Sequence, residues 1–460
     1  MRAIVIGGGI AGLAAAYRLE SLLPEAEVTL VERTERLGGM LLTDRTDGFV
    51  IEGAPDSFLS RKARGIGLCE ELGLVGDLVG RKPENARSYV RWERELHPLP
   101  EGLTGMIPTD LDLLAESSLL SQVGRERLAT EVDLPAEPSG ADESIASFVT
   151  RRLGAEAYER LVEPLMTGIY GGDGAQLSLQ ATFPNLRGLE LEHGSLLRGL
   201  SAQSAESASP YPPFVTLAPG MQALSVRLAA RLRRTRLLTG RAALGVRATD
   251  RGYEVTLDAG ERLDAEGVVV AVPAFAAAEL LADLEQDLAA AHSEIPYSSS
   301  AVISLGYPAS EVTHPLDGYG YVVPRAEGSD VLACTWTSSK WEGRAPAGST
   351  LIRVYAGRFD GRDVTADSDE ELVALARDEL RLLGIEAEPD PFRVHRWPRG
   401  MPQYILGHPE RIERIESAVA DHPGLALAGS AYRGVGIPDC IHSGEEAARS
   451  LAESFARLPG

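Results

Sequence analysis

The N-terminal stretch MRAIVIGGGIAGLAAAYRLESLLPEAEVTLVER constrains this chain more than any other segment. AIVI is short and apolar and predicts a buried strand. IAGLAAAYRLESLL, rich in Ala and Leu, predicts a helix that Pro24 helps to end, and VTLVE predicts a second strand. Strand, turn, helix and strand together make a βαβ unit. The turn holds Gly7, Gly9 and Gly12 in a GxGxxG pattern, with Gly8, Ile10 and Ala11 between them. The first glycine lets the chain turn tightly, the second lets backbone approach a pyrophosphate, and the third lets the helix pack on the sheet. The helix N-terminus then offers N–H donors to phosphate. Glu32 ends the second strand 20 residues beyond Gly12. A carboxylate there accepts hydrogen bonds from an adenosine ribose and disfavours a 2′-phosphate. A Gly-rich turn without ligand is the plainer alternative, but it does not account for the strand, helix and acid all standing in place. The unit predicts a dinucleotide site, and NAD and FAD both satisfy it.

Charge and composition narrow the partners. The chain has 460 residues, 44% of them hydrophobic, 24% charged and 48 of them glycine, which predicts a globular protein of two or three interleaved domains. Lys and Arg number 45 against 67 Asp and Glu, for a net charge of -22. Such a surface repels nucleic acid and gives no broad attraction to anionic lipid, so an anionic substrate must be met by local cations. Cys69, Cys334 and Cys440 form no CxxC pair and suit a reducing, cytoplasmic compartment. The histidines show no metal-ligand spacing, so no metal is expected. The chain runs straight into its first strand without a signal peptide, and no stretch reads as a transmembrane helix. The most apolar candidate, GVVVAVPAFAAAELLADL from Gly267, is broken by Pro, Glu and Asp.

The remaining pattern predicts an α/β fold with α+β insertions. GYEVTLDAGERLDAEGVVVAV reads as a hairpin feeding a buried strand. SAVISLGY, GYGYVV, VLACTWT and LIRVYAG read as a second, mostly antiparallel sheet, and GLALAGSAYRGVGIPDCIHSGEEAARSLAESF reads as strand, Gly-rich loop and helix. Residues 91–210 read as largely helical, with SAQSAESASPYPP at 201–213 as a mobile loop. A Rossmann-like cofactor domain is therefore expected from 1–65, 211–272 and 398–460. A substrate domain is expected from 66–90 and 273–397, and a helical domain from 91–210. No internal repeat is evident.

ERTERLGGMLLT sets Gly38 and Gly39 just after Glu32. This resembles the second Gly pair of the flavoproteins with two dinucleotide-binding segments, among them amine oxidases, phytoene desaturases and protoporphyrinogen oxidases. LALAGSAYRGVGIPD resembles their C-terminal flavin loop. APDSFLSRK, LHPLPEGLTGMIPT, EPLMTGIYGGD, LSLQATFP, HGSLLRG, ACTWTSSKW, MPQYILGH and GVGIPDCI follow in the order of the porphyrinogen oxidase family. PDSFLSRK, ACTWTSSKW and GVGIPDC are most similar to its Gram-positive-type branch, the FAD-dependent coproporphyrinogen III oxidases. The sequence departs from the family at Met40, where Lys or Arg is usual, and at Gly53-Ala54 before Pro55, where Gly directly before Pro is usual.

The resemblance implies a para-hydroxybenzoate-hydroxylase-like fold with FAD, substrate and helical membrane-facing domains. It implies FAD contacts from the Gly-rich turn, from Glu32 and Arg33, and from Gly38, Gly39 and Met40. It further implies contacts from Ala54, Pro55, Asp56 and Ser57, from Ala243 and Trp397, and from Gly429, Val435, Gly436 and Ile437. The helix after that last loop can stabilise negative charge on the flavin. The implied reaction takes six electrons from a porphyrinogen in three two-electron steps, with molecular oxygen as acceptor and hydrogen peroxide as product, in haem synthesis. Lys62, Arg87 and Arg61 are the implied partners of substrate carboxylates, with Lys62 also close to the reaction centre. Without the resemblance Lys62 reads as a solvated lysine opening a helix, and both arginines as surface ion-pair formers. Met166, Ile169 and Tyr170 are expected either as an apolar wall on the macrocycle or as core packing; Tyr404 near the flavin has the same alternative. His193 and His408 are expected as structural hydrogen-bonders, and Cys440 has no redox role. Protoporphyrinogen IX oxidation, another flavin oxidase or desaturase activity, and a non-catalytic porphyrin carrier are the competing functions. Peripheral membrane contact and transient contact with the next haem-pathway enzyme are further expectations.

Overall fold

In the computed structural model, which describes residues 1–137, 140–203 and 210–457, three distant stretches of chain build one parallel sheet. Its five strands run in the order Arg236–Leu238, Glu27–Val31, Arg2–Ile6, Gly267–Val270 and Leu425–Leu427. A parallel sheet needs cover on both faces, and the sequence supplies it by alternation. Ala3 and Val5 pack on one side, where the helices Ile10–Leu22 and Ile437–Arg457 lie. Ile4 and Ile6 pack on the other, with Val255, Ala277 and Leu281. Fully burying such an aliphatic side chain is worth about 1.5–3 kcal/mol. The two helices meet closely through small residues: a Cβ on Gly444 would lie 2.1 Å from the Ala11 carbonyl oxygen.

The second sheet has seven strands in the order Phe392–Pro402, Tyr297–Pro308, Ser349–Ala356, Val331–Trp336, Gly320–Val322, Tyr89–Trp92 and Glu95–Pro98. It is antiparallel except where Gly320–Val322 meets Tyr89–Trp92. The helical expectation for 91–210 is thus corrected at its start, because residues 91–98 complete this sheet through a hairpin. The strand Phe392–Pro402 also crosses the expected boundary at 397/398. A small sheet, Phe58–Leu59, Phe214–Leu217 and Leu78–Gly80, lies in the chain segments between the two. The loop expected over 201–213 falls mostly outside the described residues.

Helices between Leu111 and Gln203 form a third unit around Phe148, Leu161 and Leu189. Arg152 and Glu131 pair there, both fully buried, and Glu131 also accepts from Ser195 Oγ at 2.5 Å and Leu196 N at 2.9 Å. Removing one member of such a pair costs about 3–5 kcal/mol, since the other is left as a buried, unpaired charge. Among the described residues no helix is long and apolar enough to cross a membrane, and no group of His, Cys, Asp or Glu side chains is placed to hold a metal ion.

Candidate cofactor and substrate site

The Gly-rich turn divides into glycines the protein requires and one that it does not. Gly7 has φ +108°, and a Cβ there would lie 2.4 Å from the Ala271 carbonyl oxygen. A Cβ on Gly12 would lie 1.9 Å from the Gly7 carbonyl oxygen, the close helix–sheet approach. Gly9 differs. Its backbone is extended, φ -70° and ψ 177°, which any residue adopts, and a Cβ there meets no protein atom within 4 Å. Glycine at this position therefore answers to something other than the chain itself, and a pyrophosphate laid on the turn fits that space. Glu32 borders it. Its carboxylate accepts from Gly8 N at 2.8 Å, Thr34 N at 2.9 Å and Thr34 Oγ1 at 2.7 Å. The second Gly pair closes over the first: Gly38 N donates to the Gly8 carbonyl at 2.8 Å, and a Cβ on Gly39 would lie 3.1 Å from Gly9 Cα. Arg33 is exposed and Met40 half-buried. Arg36, in the same loop, donates from its guanidinium to the carbonyls of Leu37 and Leu41. Ala243 follows Arg241, whose N–H bonds the Glu32 carbonyl at 3.0 Å, so this segment runs beside the acid.

Two further loops are braced from the seven-stranded sheet and the C-terminal helix. Trp397 Nε1 donates to the Gly53 carbonyl at 2.8 Å, and Arg353 to the Ala54 carbonyl at 2.7 Å. Asp56 is buried and receives Lys340 Nζ at 3.0 Å, Trp341 Nε1 at 3.0 Å and Ser57 Oγ at 2.7 Å. Burial alone would raise its pKa, but Lys340 and Arg353 outweigh that and hold the carboxyl well below the usual range. The Asp56 side chain thus ties the Ala54–Ser57 turn, Pro55 included, to the sheet. In the other loop, Gly429 N donates to Ser443 Oγ at 3.0 Å. Tyr404 spans the turn, its hydroxyl donating to the Ser430 carbonyl at 2.6 Å and accepting from Gly434 N at 2.8 Å. Asp439, in the first turn of Ile437–Arg457, accepts from Gly436 N at 3.2 Å. This is the reach of a third-position carboxylate back to the helix cap. Pro438 has no N–H, so the Ile437 N–H heads this helix as a donor. Val435 is half-buried against the helical unit.

Lys62 reaches this same turn. It opens the helix Ala63–Leu72, as the bland reading expects, yet its ammonium lies 2.5 Å from Asp439 Oδ2 with the side chain 42% exposed. Tyr170 is buried near Asp439, edge-on to Phe183 at 5.8 Å; burial, then the nearby carboxylate, raises its pKa. Lys62, Asp439, Tyr170 and Tyr404 therefore converge. Arg87 stands apart, 71% exposed and 3.9 Å from Asp317. Arg61 is exposed. Met166 is fully buried in the helical core, while Ile169 on the same helix is 46% exposed. His193 lies 3.9 Å from Glu192. His408 stacks on Tyr404 at 4.1 Å and bonds the Tyr432 carbonyl through Nε2 at 3.0 Å. Burial pushes the Cys440 thiol up to about 12.

Sequence reasoning missed Asp439, although its place three residues after Gly436 is the capping position that could have flagged it. It also missed Lys340 and Arg353, whose role appears only once Asp56 is placed.

A family model of flavin-containing amine oxidoreductases matches residues 10–452. The coproporphyrinogen III oxidase of Bacillus subtilis is 37% identical over 457 residues, covering 96% of each chain. The chloroplastic protoporphyrinogen oxidase of Oryza sativa is 29% identical, covering 99% of this chain and 88% of that protein. A crystal structure from Exiguobacterium sp., described as of protoporphyrinogen oxidase type, superposes with a TM-score of 0.88 at 33% identity and covers 98% of both chains. The open cradle at Gly9, the acid beside it and the braced loops around Ala54 and Gly434 fit a flavin dinucleotide. The chain belongs to the flavin-containing amine oxidoreductases and, within them, to the coproporphyrinogen III oxidase family.

Proposed function

We propose that this protein binds FAD and oxidises coproporphyrinogen III to coproporphyrin III with oxygen as acceptor, in haem synthesis. The observation that carries the reading is the meeting of Lys62 with Asp439: a part-exposed cation is fixed at the first turn of the helix that follows the flavin-loop motif. Greater identity to a coproporphyrinogen III oxidase than to a protoporphyrinogen oxidase supports the choice of substrate.

FAD bound here would supply two-electron oxidation chemistry, with oxygen as the terminal acceptor. The chain's own tasks are binding, orientation and exclusion of water. N–H groups at the start of Ile10–Leu22 would hold the pyrophosphate, and Glu32 would hold the ribose. The Ile437 N–H, at the positive end of its helix, would stabilise negative charge on the flavin ring. Lys62 and Arg87 neutralise substrate carboxylates against a chain of net charge -22. Tyr170 supplies an apolar edge that keeps water from the macrocycle. The same proposal assigns a cofactor domain of the para-hydroxybenzoate-hydroxylase type to 1–65, 211–272 and 398–460. It assigns a substrate domain to 66–90 with 273–397 and a helical domain to 91–210, with residues 91–98 carried over to the substrate domain's sheet and the 397/398 boundary moved past the strand Phe392–Pro402. Leu111, Leu113 and Val123, all exposed on the helical unit, are side chains a peripheral membrane contact would use.

Oxygen uptake by the flavin-loaded protein tests the reaction class. Uptake with a porphyrinogen, and none with simple amines or carotenoid precursors, is the expected result. Uptake with an amine alone would overturn the proposal.

A further inference from the structure

Buried arginines in this molecule pair with acids: Arg91 with Glu379 at 2.7 Å, Arg344 with Glu52 at 3.5 Å, Arg353 with Asp56 at 3.7 Å. Arg81 does not. It follows the strand Leu78–Gly80 and is half-buried, its guanidinium carbon 4.8 Å from the centre of the Phe214 ring and 4.7 Å from that of Tyr319. Among the described residues no carboxylate, carbonyl or hydroxyl accepts from its N–H groups. Other half-buried arginines without an acid, such as Arg36 and Arg125, still donate to carbonyls, so a partly desolvated arginine with no acceptor at all is an exception.

The two rings are themselves anchored. The Tyr319 hydroxyl donates to the Lys82 carbonyl at 2.8 Å, and its N–H donates to the Arg87 carbonyl at 2.7 Å. Phe214 pairs with Leu59 in the small sheet, and its neighbour Val215 pairs with Gly80. Ring contacts orient a guanidinium without using its hydrogen-bond donors, so the planar fork stays free for an outside acceptor. Burial lowers the pKa of Arg81, while Tyr319 and Asp56 act against it, so the group also lies within electrostatic reach of the Ala54–Ser57 turn. The topology sets Arg81 between the other two candidate cations. Leu59, across the strand from it, leads within three residues to Lys62, and Tyr319 beside it holds the backbone of Arg87.

We propose that Arg81 is a carboxylate-binding, specificity-determining residue of the substrate site, presenting its fork to one side-chain carboxylate of the macrocycle. The inference rests on the porphyrinogen reading above. A bidentate guanidinium–carboxylate contact is charge-assisted and planar, a geometry lysine does not reproduce.

Fluorescence titration of the flavin-loaded protein with stable porphyrins tests it, comparing coproporphyrin III with its uncharged tetra-amide. Arg81→Gln should weaken coproporphyrin binding roughly ten- to a hundredfold and leave the tetra-amide unchanged. FAD content should stay that of the parent. Arg81→Lys keeps the charge and should still lose several-fold on coproporphyrin alone; it carries the test if the glutamine variant does not fold. Equal weakening on both ligands would make Arg81 a packing residue, and no weakening would return it to the surface; either overturns the inference. Absence of porphyrinogen turnover by the parent protein would overturn the functional reading and this inference together, whereas intact turnover with unchanged binding in both variants overturns this inference alone.

Discussion

Gly9 permits a prediction whose two halves have opposite signs. Replacing it with Ala adds a methyl group that meets no protein atom within 4 Å, on a backbone at φ -70° that Ala adopts freely. The apoprotein should therefore lose nothing. Removing glycine's freedom from the unfolded chain stabilises by about 0.4–1 kcal/mol where the conformation is compatible. That corresponds to a rise of about 1–4 °C in the melting temperature of a domain of 150–250 residues. The same methyl group stands where the pyrophosphate must lie against backbone, and Val stands there with more bulk. FAD affinity should fall with Ala and be abolished with Val. The assay is paired: thermal unfolding of deflavinated protein, and FAD binding by recovery of flavin fluorescence quenching. Gly12→Ala is the contrast, since its Cβ would collide with the Gly7 carbonyl at 1.9 Å and should destabilise the apoprotein. A Gly9→Val protein that purifies with stoichiometric yellow cofactor would refute the assignment of the turn. So would an apo-Gly9→Ala protein that melts several degrees lower, because the space would then belong to the protein.

Three more outcomes follow from the site. Acid precipitation should release FAD into the supernatant, since neither the sequence nor the braced loops present a covalent attachment motif; flavin in the pellet would contradict this. Lys62→Ala should lower kcat/KM for coproporphyrinogen about ten- to a hundredfold, and less for protoporphyrinogen, with FAD retained. Equal losses on the two substrates would place the lysine on a feature they share. Burial pushes the His408 imidazole down to about 4, with its bond to the Tyr432 carbonyl and the nearby charges making smaller contributions. The unfolded chain binds that proton more readily, so stability is lost as pH falls from about 6.5 towards 4, by up to about 3 kcal/mol. His408→Phe should flatten this part of the stability profile, and an unchanged profile would assign the loss to other groups.

What was legible in the sequence was mostly local. The turn, its helix and Glu32 lie within one continuous stretch, although the space that Gly7 must leave open is set by Ala271, far along the chain. The alternation of Ala3, Ile4, Val5 and Ile6 likewise states a sheet buried on both faces. Residues 91–98 belong to a local hairpin, Tyr89–Trp92 with Glu95–Pro98, whose two-residue turn holds Glu93 and Arg94 at positive φ without the Gly or Asn that usually signals such a turn. Met166 and Tyr170 lie four residues apart on one buried face of one helix, and periodicity alone does not say that Tyr170 also comes near Asp439. Lys62 was identified through a motif, but its partner Asp439 lies 377 residues away. Arg81 carries no motif at all; its character comes from Phe214 and Tyr319, which only the fold brings to it.

The central claim is the substrate, and the most direct measurement is turnover of coproporphyrinogen III against protoporphyrinogen IX by the flavin-loaded protein, followed by porphyrin fluorescence in air. A higher kcat/KM for coproporphyrinogen III, with coproporphyrin III and hydrogen peroxide as products, is the predicted result. A higher kcat/KM for protoporphyrinogen IX, or porphyrin formation from neither, would contradict it.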